Sequence, residues 1–183
     1  MNSAQTMWLG LGLASAAALL LVVGLVVFFR RRQSLEFLLR RISWDQLRDV
    51  VIPDDVEGEI HLDLALLTAR GILVLEVRRA AGTLFWGEQL QRWTVLDGAR
   101  RKVIDNPLPG MRARRHAVHA LAPRVPVDGR VLFVGPVQVS GDNPPGVVLS
   151  AELLAEFPAR GKAPPPEALR AAWNDLRSAA RPI

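Results

Sequence analysis

Residues 61–78, which read HLDLALLTARGILVLEVR, constrain the fold more than any other part of the sequence. Apolar residues alternate with other residues on both sides of a turn at 68–71, which is typical of two short strands joined as a β-hairpin. Gly71 can adopt the positive φ that a tight reversal requires. The sequence therefore predicts an antiparallel hairpin at the centre of the fold.

The register of this hairpin decides which side chains meet across it. In one register Asp63 lies opposite Glu76 and His61 opposite Arg78, so that one face carries two carboxylates and a guanidinium. A three-residue loop at Gly71 would shift the pairing by one residue and press Glu76 and Arg78 onto the leucine face, which costs free energy. We expect the first register, with an apolar opposite face on the first strand formed by Ile60, Leu62, Leu64 and Leu66.

Two carboxylates held side by side have two interpretations. They can share a divalent cation such as Mg²⁺, which prefers oxygen ligands and can activate water against a phosphodiester. They can also be polar residues on the solvent side of an amphipathic hairpin, balanced by Arg78. Alternation alone favours the second interpretation.

Further segments extend the pattern on both sides of the hairpin. They are, in chain order, 47–53, Leu62-Asp63-Leu64, Arg70-Gly71-Ile72, Glu76-Val77-Arg78, 82–87, Trp93-Thr94-Val95 and Asn106-Pro107-Leu108. Over about residues 34–157 these segments resemble the nuclease-related domain, NERD, a branch of the PD-(D/E)XK restriction-endonuclease-like superfamily. The resemblance implies an α/β (α+β) fold, a restriction-endonuclease-like core in which helices flank a central mixed sheet.

The resemblance also implies a catalytic site. Asp63, Glu76 and the backbone carbonyl of Val77 would hold Mg²⁺ or Mn²⁺, and Arg78 would stand in the position of a lysine that orients water or steadies charge on the phosphate. Glu36 matches a glutamate that can add a metal ligand in the family. However, Leu35 replaces the usual preceding glycine, and an exposed glutamate that favours the helix dipole is the simpler interpretation.

Two residues depart from the family pattern. Arg78 keeps the positive charge of the lysine but cannot give up a proton, and Gly110 stands where a glutamine is expected. Three functions therefore remain open. The chain is an active metal-dependent nuclease on DNA or RNA, a nuclease-derived domain that binds nucleic acid or another ligand without cutting it, or a membrane-tethered interaction protein that uses the C-terminal helix.

The N-terminal part of the sequence predicts a membrane anchor. After a short tail, 1–6, residues 7–29 carry no charge and have the length of a membrane-spanning helix. A cleaved signal peptide is disfavoured because no basic residue precedes the run and no small-residue site follows it. The basic flank 30–33 predicts a single-pass protein of the cell (inner) membrane, with its N-terminus outside and its domain in the cytoplasm.

Composition limits the partners. The chain has no cysteine, which excludes disulfides and thiolate metal sites. The net charge of +5 suits a phosphate-bearing partner or an anionic lipid surface without distinguishing between them.

Patterning predicts the remaining elements. We expect a helix from Ser34 to Ile42, extended or repeated at 44–47, and we expect Trp86 and Trp93 in the core rather than stacked on bases. The other expected elements are a strand at 49–53, an acidic turn at 54–58, strands at 83–86 and 91–96, a basic turn at 97–102, a helix at 107–121, strands at 130–134 and 147–149, and a helix at 151–157 capped by Ser150.

The helix at 107–121 carries the main candidate for nucleic-acid binding. Its polar face holds Arg112, Arg115 and His119, with Arg114 and His116 beside it, and these side chains could bind phosphates. His116 and His119 have the spacing of a metal-binding pair, but without a third ligand they indicate a basic, solvated face.

A Pro-rich linker, 158–166, separates this domain from the C-terminal segment 167–183. That segment predicts a helix at 167–180 with Leu169, Trp173 and Leu176 along one side. We expect this stripe to dock on the domain, and a protein partner is the alternative.

Overall fold

A computed structural model describes residues 35–54 and 58–183. Its helices are α1 (Leu35–Ile42), α2 (Leu108–Leu121), α3 (Leu153–Glu156) and α4 (Glu167–Ala179). Its strands are β1 (Ser43–Asp54), β2 (Gly58–Thr68), β3 (Gly71–Arg79), β4 (Gly82–Phe85), β5 (Arg92–Asp97), β6 (Arg100–Asp105), β7 (Val127–Val134), β8 (Val137–Val139), β9 (Val147–Leu149) and β10 (Arg181–Pro182).

The central sheet has six strands in the order β10-β1-β2-β3-β7-β9. The first three pairings are antiparallel, whereas β3–β7 and β7–β9 are parallel. A second sheet has the order β6-β5-β4-β8. The predicted α/β fold with a central mixed sheet and flanking helices is confirmed.

The hairpin β2–β3 has the predicted register. Leu64 pairs with Leu75, and the pairing continues to Thr68 and Gly71 at the turn. The ladder ends before Asp63 and Glu76 become paired residues. At that point the side chain of Asp63 accepts a hydrogen bond from the backbone N–H of Val77.

The prediction of a solvent-facing side for this hairpin is wrong. β3 is buried from Gly71 to Glu76, because β3 pairs with β7 and thereby becomes a central strand with parallel pairing, which packs on both faces. The sequence also predicted that Leu64 and Leu66 share a face of β2 with Ile60 and Leu62. Instead, Ile60 and Leu62 share a core cluster with Ala65 and Leu67. The alternation of side chains between the two faces therefore shifts near Asp63.

The predicted first helix is confirmed as α1, with Leu38, Leu39 and Ile42 buried. Its predicted extension at 44–47 is wrong, because these residues belong to β1, which pairs with β2 along almost its full length. The Ser43 hydroxyl donates to the carbonyl of Leu39 at 2.7 Å at this junction.

Two further local predictions are corrected. The basic turn at 97–102 is only a short reversal, after which β6 begins at Arg100 and pairs with β5. Ser150 does not cap a helix, because α3 begins at Leu153 after Glu152. In both places a local polar pattern suggested a longer turn or an earlier cap than the chain uses.

The C-terminal stripe docks on the domain as expected. Leu169, Ala172, Trp173 and Leu176 of α4 are buried in the same core cluster as α2 residues such as Met111 and Val118. The preceding segment 158–166 has no helix or strand, but hydrogen bonds hold it against α1 and β1. Arg160 N–H donates to Arg41 O, and Trp44 Nε1 donates to Ala163 O.

The predicted membrane segment 7–29, its flank 30–33, the cap Ser34 and most of the acidic turn lie outside the described residues. Within residues 35–54 and 58–183, no helix is both long and apolar enough to cross a bilayer.

Candidate functional site

The open end of the hairpin brings Asp63 next to the backbone of the residue that follows Glu76. Asp63 Oδ2 accepts the N–H of Val77 at 3.0 Å, and Val77 directly follows Glu76. On its other side, Asp63 Oδ1 lies 3.5 Å from Nδ1 of His61, whose Nε2 lies 3.8 Å from Asp49 Oδ1. Asp63 therefore lies between the backbone of the residue that follows Glu76 and the imidazole of His61.

Glu76 is almost completely buried, with 3% of its side chain exposed. Arg78 donates from Nε to Oε1 at 2.6 Å. Arg114 donates from Nη1 to Oε2 at 3.0 Å and from Nε to the carbonyl of His61 at 2.8 Å. An ionised carboxylate can be buried only with such partners, because desolvation would otherwise cost several kcal/mol.

Of the four residues predicted to bind phosphates on α2, one turns inward and three stay at the surface. Arg114 turns inward to Glu76. Arg112 and Arg115 line an open cleft of about 270 Å³ that also contacts Arg130. His119 lines a separate cleft of about 270 Å³ with Arg115 and His116. Because Arg115 lines both clefts, Arg112, Arg115 and His119 remain neighbours, and only Arg114 is withdrawn from the predicted phosphate-binding residues.

A family model of the nuclease-related domain, NERD, matches residues 29–134. This chain belongs to the NERD family. The match covers more than half of the chain and ends at the last residue of β7, whereas the sequence resemblance extended to about residue 157. Neither the comparison with curated proteins nor the comparison with solved structures found a match.

The expected metal ligands of the NERD domain do not fit a divalent cation in this arrangement. Both oxygens of Glu76 accept from guanidinium groups, and the charges of Asp63 and Glu76 are balanced by those of Arg78 and Arg114. A Mg²⁺ ion at Glu76 would therefore have to compete with two guanidinium groups for the carboxylate oxygens. Glu36 lies in the first turn of α1, and no group of three His, Asp or Glu side chains in the described ranges could hold a metal.

The Asn-Pro motif of the NERD domain has a structural role in this chain. The Asn106 amide donates to the carbonyls of Glu88 and Leu90, and its side-chain oxygen accepts the N–H of Leu108 at 3.0 Å. Asn106 thereby fixes the start of α2 to the loop before β5. Trp93 is fully buried, which confirms its expected core position.

Sequence reasoning missed two features of this region. It assigned Arg114 to phosphates, although a carboxylate on a central strand requires a nearby cation and Arg114 supplies it. It also treated Arg100 and Lys102 as part of a turn, whereas both line a cleft beside the end of β3. Side chains alternate along a strand, so the run Arg100-Arg101-Lys102 could have predicted that Arg100 and Lys102 lie on one side.

Proposed function

We propose that this chain is a membrane-held, nuclease-like domain that binds nucleic acid, DNA or RNA, through phosphates at the open end of the β2–β3 hairpin. Membership of the NERD family supports the nuclease-like assignment. The observation that carries the proposal is the arrangement of Arg78. Its guanidinium is held by buried Glu76, while 48% of its side chain is exposed.

A guanidinium fixed on one edge is well suited to bind an anion with its other edge. Arginine has five donors in a planar fork, so the donors of Arg78 that Glu76 does not use remain available for a phosphate oxygen. Because Glu76 fixes the side chain in advance, less rotamer entropy is lost on binding. Arg112 and Arg115 supply further positive charge along α2 for phosphates outside this site, and His119 beside them can donate a hydrogen bond.

The test uses the full chain in detergent micelles and fluorescently labelled DNA and RNA. In EDTA, we expect binding that weakens steeply as salt concentration rises. Arg78→Ala should reduce the affinity about tenfold and make binding less sensitive to salt. Arg170→Ala on the exposed side of α4 removes the same charge elsewhere and should change the affinity less than twofold. Equal losses in the two variants would reject a specific site at Arg78.

Phosphodiester hydrolysis is a second candidate function. The observation that favours it is the proximity of Asp63 to the Val77 N–H and to His61. An imidazole nitrogen can accept a hydrogen bond from an attacking water, whereas the guanidinium of Arg78 has only donors. Binding of Mg²⁺ or Mn²⁺ at Glu76 would require Arg114 to move away, so the geometry supports binding of nucleic acid better than metal-dependent cleavage.

Product analysis of the same labelled strands distinguishes these functions. Cleavage that appears with Mg²⁺ or Mn²⁺ and disappears in Asp63→Asn and Glu76→Gln would establish the second function. Binding of the strands without cleavage products in every variant would support the first function, which is binding without hydrolysis. A readout of folding for each variant, such as its thermal unfolding, separates loss of the site from loss of the domain.

The membrane location is also a proposal, supported by the uncharged run 7–29 and the arginines that follow it. The full chain should remain with membranes after alkaline extraction, and a Leu20→Arg, Val23→Arg double variant should be released. A protein partner at the C-terminal helix would have to use its exposed side, because Trp173 is buried. Release of the native chain by alkali would contradict the anchor.

A further inference from the structure

An open cleft lies where the end of the central sheet meets the second sheet. Its volume is about 520 Å³. Val95 of β5 and Val134 of β7, together with Ala80 and Ala81 between β3 and β4, give it an apolar lining. A cleft of this size lies in the range that accommodates small organic ligands.

Three cations line the same cleft, namely Arg79, Arg100 and Lys102. Within the described ranges, none of them forms an ion pair with a carboxylate. Arg100 and Lys102 share a side of β6 because side chains alternate along a strand, and Arg101 between them faces the other way. Unpaired cations beside an apolar surface suit a ligand that has both an anionic and an apolar part.

The cleft is continuous with the hairpin site. A neighbouring cleft of about 310 Å³ shares Arg79 and Lys102 with it and extends to Arg78. A row of positively charged side chains therefore extends from Arg78, which binds Glu76, to Arg100 on the second sheet. A phosphate chain bound at Arg78 would reach these cations next.

We propose that the cleft formed by Arg79, Arg100 and Lys102 binds one unpaired nucleotide of a single-stranded nucleic acid. The three cations contact its phosphates, and its base lies against the apolar lining. Asp97 at the same cleft can accept a hydrogen bond from a sugar hydroxyl or a base amino group. A paired base would keep its faces inside the duplex stack, so the cleft selects single strands.

This assignment rests on the proposed binding of nucleic acid at the hairpin, and variants that remove cations inside and outside the cleft test it. The full chain in detergent micelles is titrated with a labelled single-stranded DNA and with the corresponding duplex. The Arg100→Ala, Lys102→Ala double variant should bind the single strand at least about tenfold more weakly, and its salt dependence should fall by about 1.4 in log–log slope. Arg101→Ala should change the affinity less than twofold, because its side chain faces away from the cleft.

A second variant tests the apolar lining without changing charge. Ala81→Leu fills part of the cleft, so single-strand affinity should fall while the salt dependence stays the same. Duplex affinity should remain unchanged in this variant. Equal effects on the single strand and the duplex would overturn the assignment of an unpaired base to the cleft.

Titration with adenosine monophosphate separates the cleft from the hairpin site. The native chain should bind this nucleotide and the Arg100→Ala, Lys102→Ala variant should not, whatever Arg78→Ala does to longer strands. If Arg78→Ala abolishes strand binding while the cleft variants bind normally, the function at the hairpin stands and the cleft proposal fails. Binding that depends on Arg100 and Lys102 but occurs only to vesicles containing phosphatidylglycerol would also overturn it.

Discussion

Arg114 of α2 contacts Oε2 of Glu76 through Nη1 at 3.0 Å and the carbonyl of His61 through Nε at 2.8 Å. One guanidinium thus connects α2 to both strands of the central hairpin. It also supplies positive charge beside the two carboxylates, where the family resemblance places a metal ion. The charge balance of the site is therefore completed by the chain's own side chains.

Removing Arg114 should destabilise the domain. Arg114→Ala leaves Glu76 buried with only Arg78 as its cationic partner, and loss of one partner of a buried pair is costly. We expect the free energy of unfolding to fall by about 2–3 kcal/mol. Urea unfolding measures this change. Arg112→Ala on the exposed side of the same helix is the control and should remain within about 0.5 kcal/mol of the native chain.

The same residue should control metal binding. We expect no Mg²⁺ binding by the native chain in calorimetry, because the charges of Asp63 and Glu76 are already balanced. Arg114→Ala should allow binding, since one oxygen of Glu76 loses its donor and the site gains a net negative charge. Adding Asp63→Ala to Arg114→Ala should abolish that binding. Mg²⁺ binding by the native chain that is lost in Asp63→Ala would instead show that a metal displaces Arg114 unaided.

The hairpin turn depends on Gly71. Its φ is +132°, and a Cβ there would overlap the carbonyl oxygen of Pro126, which accepts the N–H of Ile72. Gly71→Ala should therefore lower the free energy of unfolding by about 3 kcal/mol, because strain and a backbone clash act together.

Gly98→Ala provides the control for this glycine. Its φ is +58°, but no atom lies within 4 Å of the added Cβ. The expected loss is about 1 kcal/mol, the cost of a left-handed conformation alone. Similar losses at Gly71 and Gly98 in chemical denaturation would show that the close approach to Pro126 contributes nothing.

The elements that the sequence predicted are those whose patterns are local. The hairpin register follows from the alternation around Gly71, and it places Leu64 opposite Leu75. The stripe with Trp173 defined α4 for the same reason. By contrast, β1 extends back to Ser43 because it pairs with β2, and this long-range pairing overrides the local helical pattern at 44–47.

The candidate site likewise combines local features that the sequence predicts with long-range contacts that it does not predict. That Asp63 and Glu76 lie at the same level of the hairpin could be predicted from the register alone. The contact between Arg114 and Glu76 joins residues far apart in sequence and depends on how α2 lies across the sheet. Likewise, the cleft lined by Arg79 and Arg100 exists only because two separate sheets meet there. Local periodicity carries no information about either contact.

The docking of α4 can be tested at Trp173, whose Nε1 donates to Oδ2 of Asp45 on β1 at 2.9 Å. Trp173→Phe keeps an aromatic ring but leaves this carboxylate oxygen without the indole donor, although Arg177 still pairs with it. We expect a loss of about 1–2 kcal/mol in the free energy of unfolding. Trp173→Ala should lose about 3–5 kcal/mol because it also creates a cavity. Urea unfolding of both variants measures these losses. If Trp173→Ala unfolds with native-like stability, α4 does not stabilise the domain, and its apolar side is available to a partner.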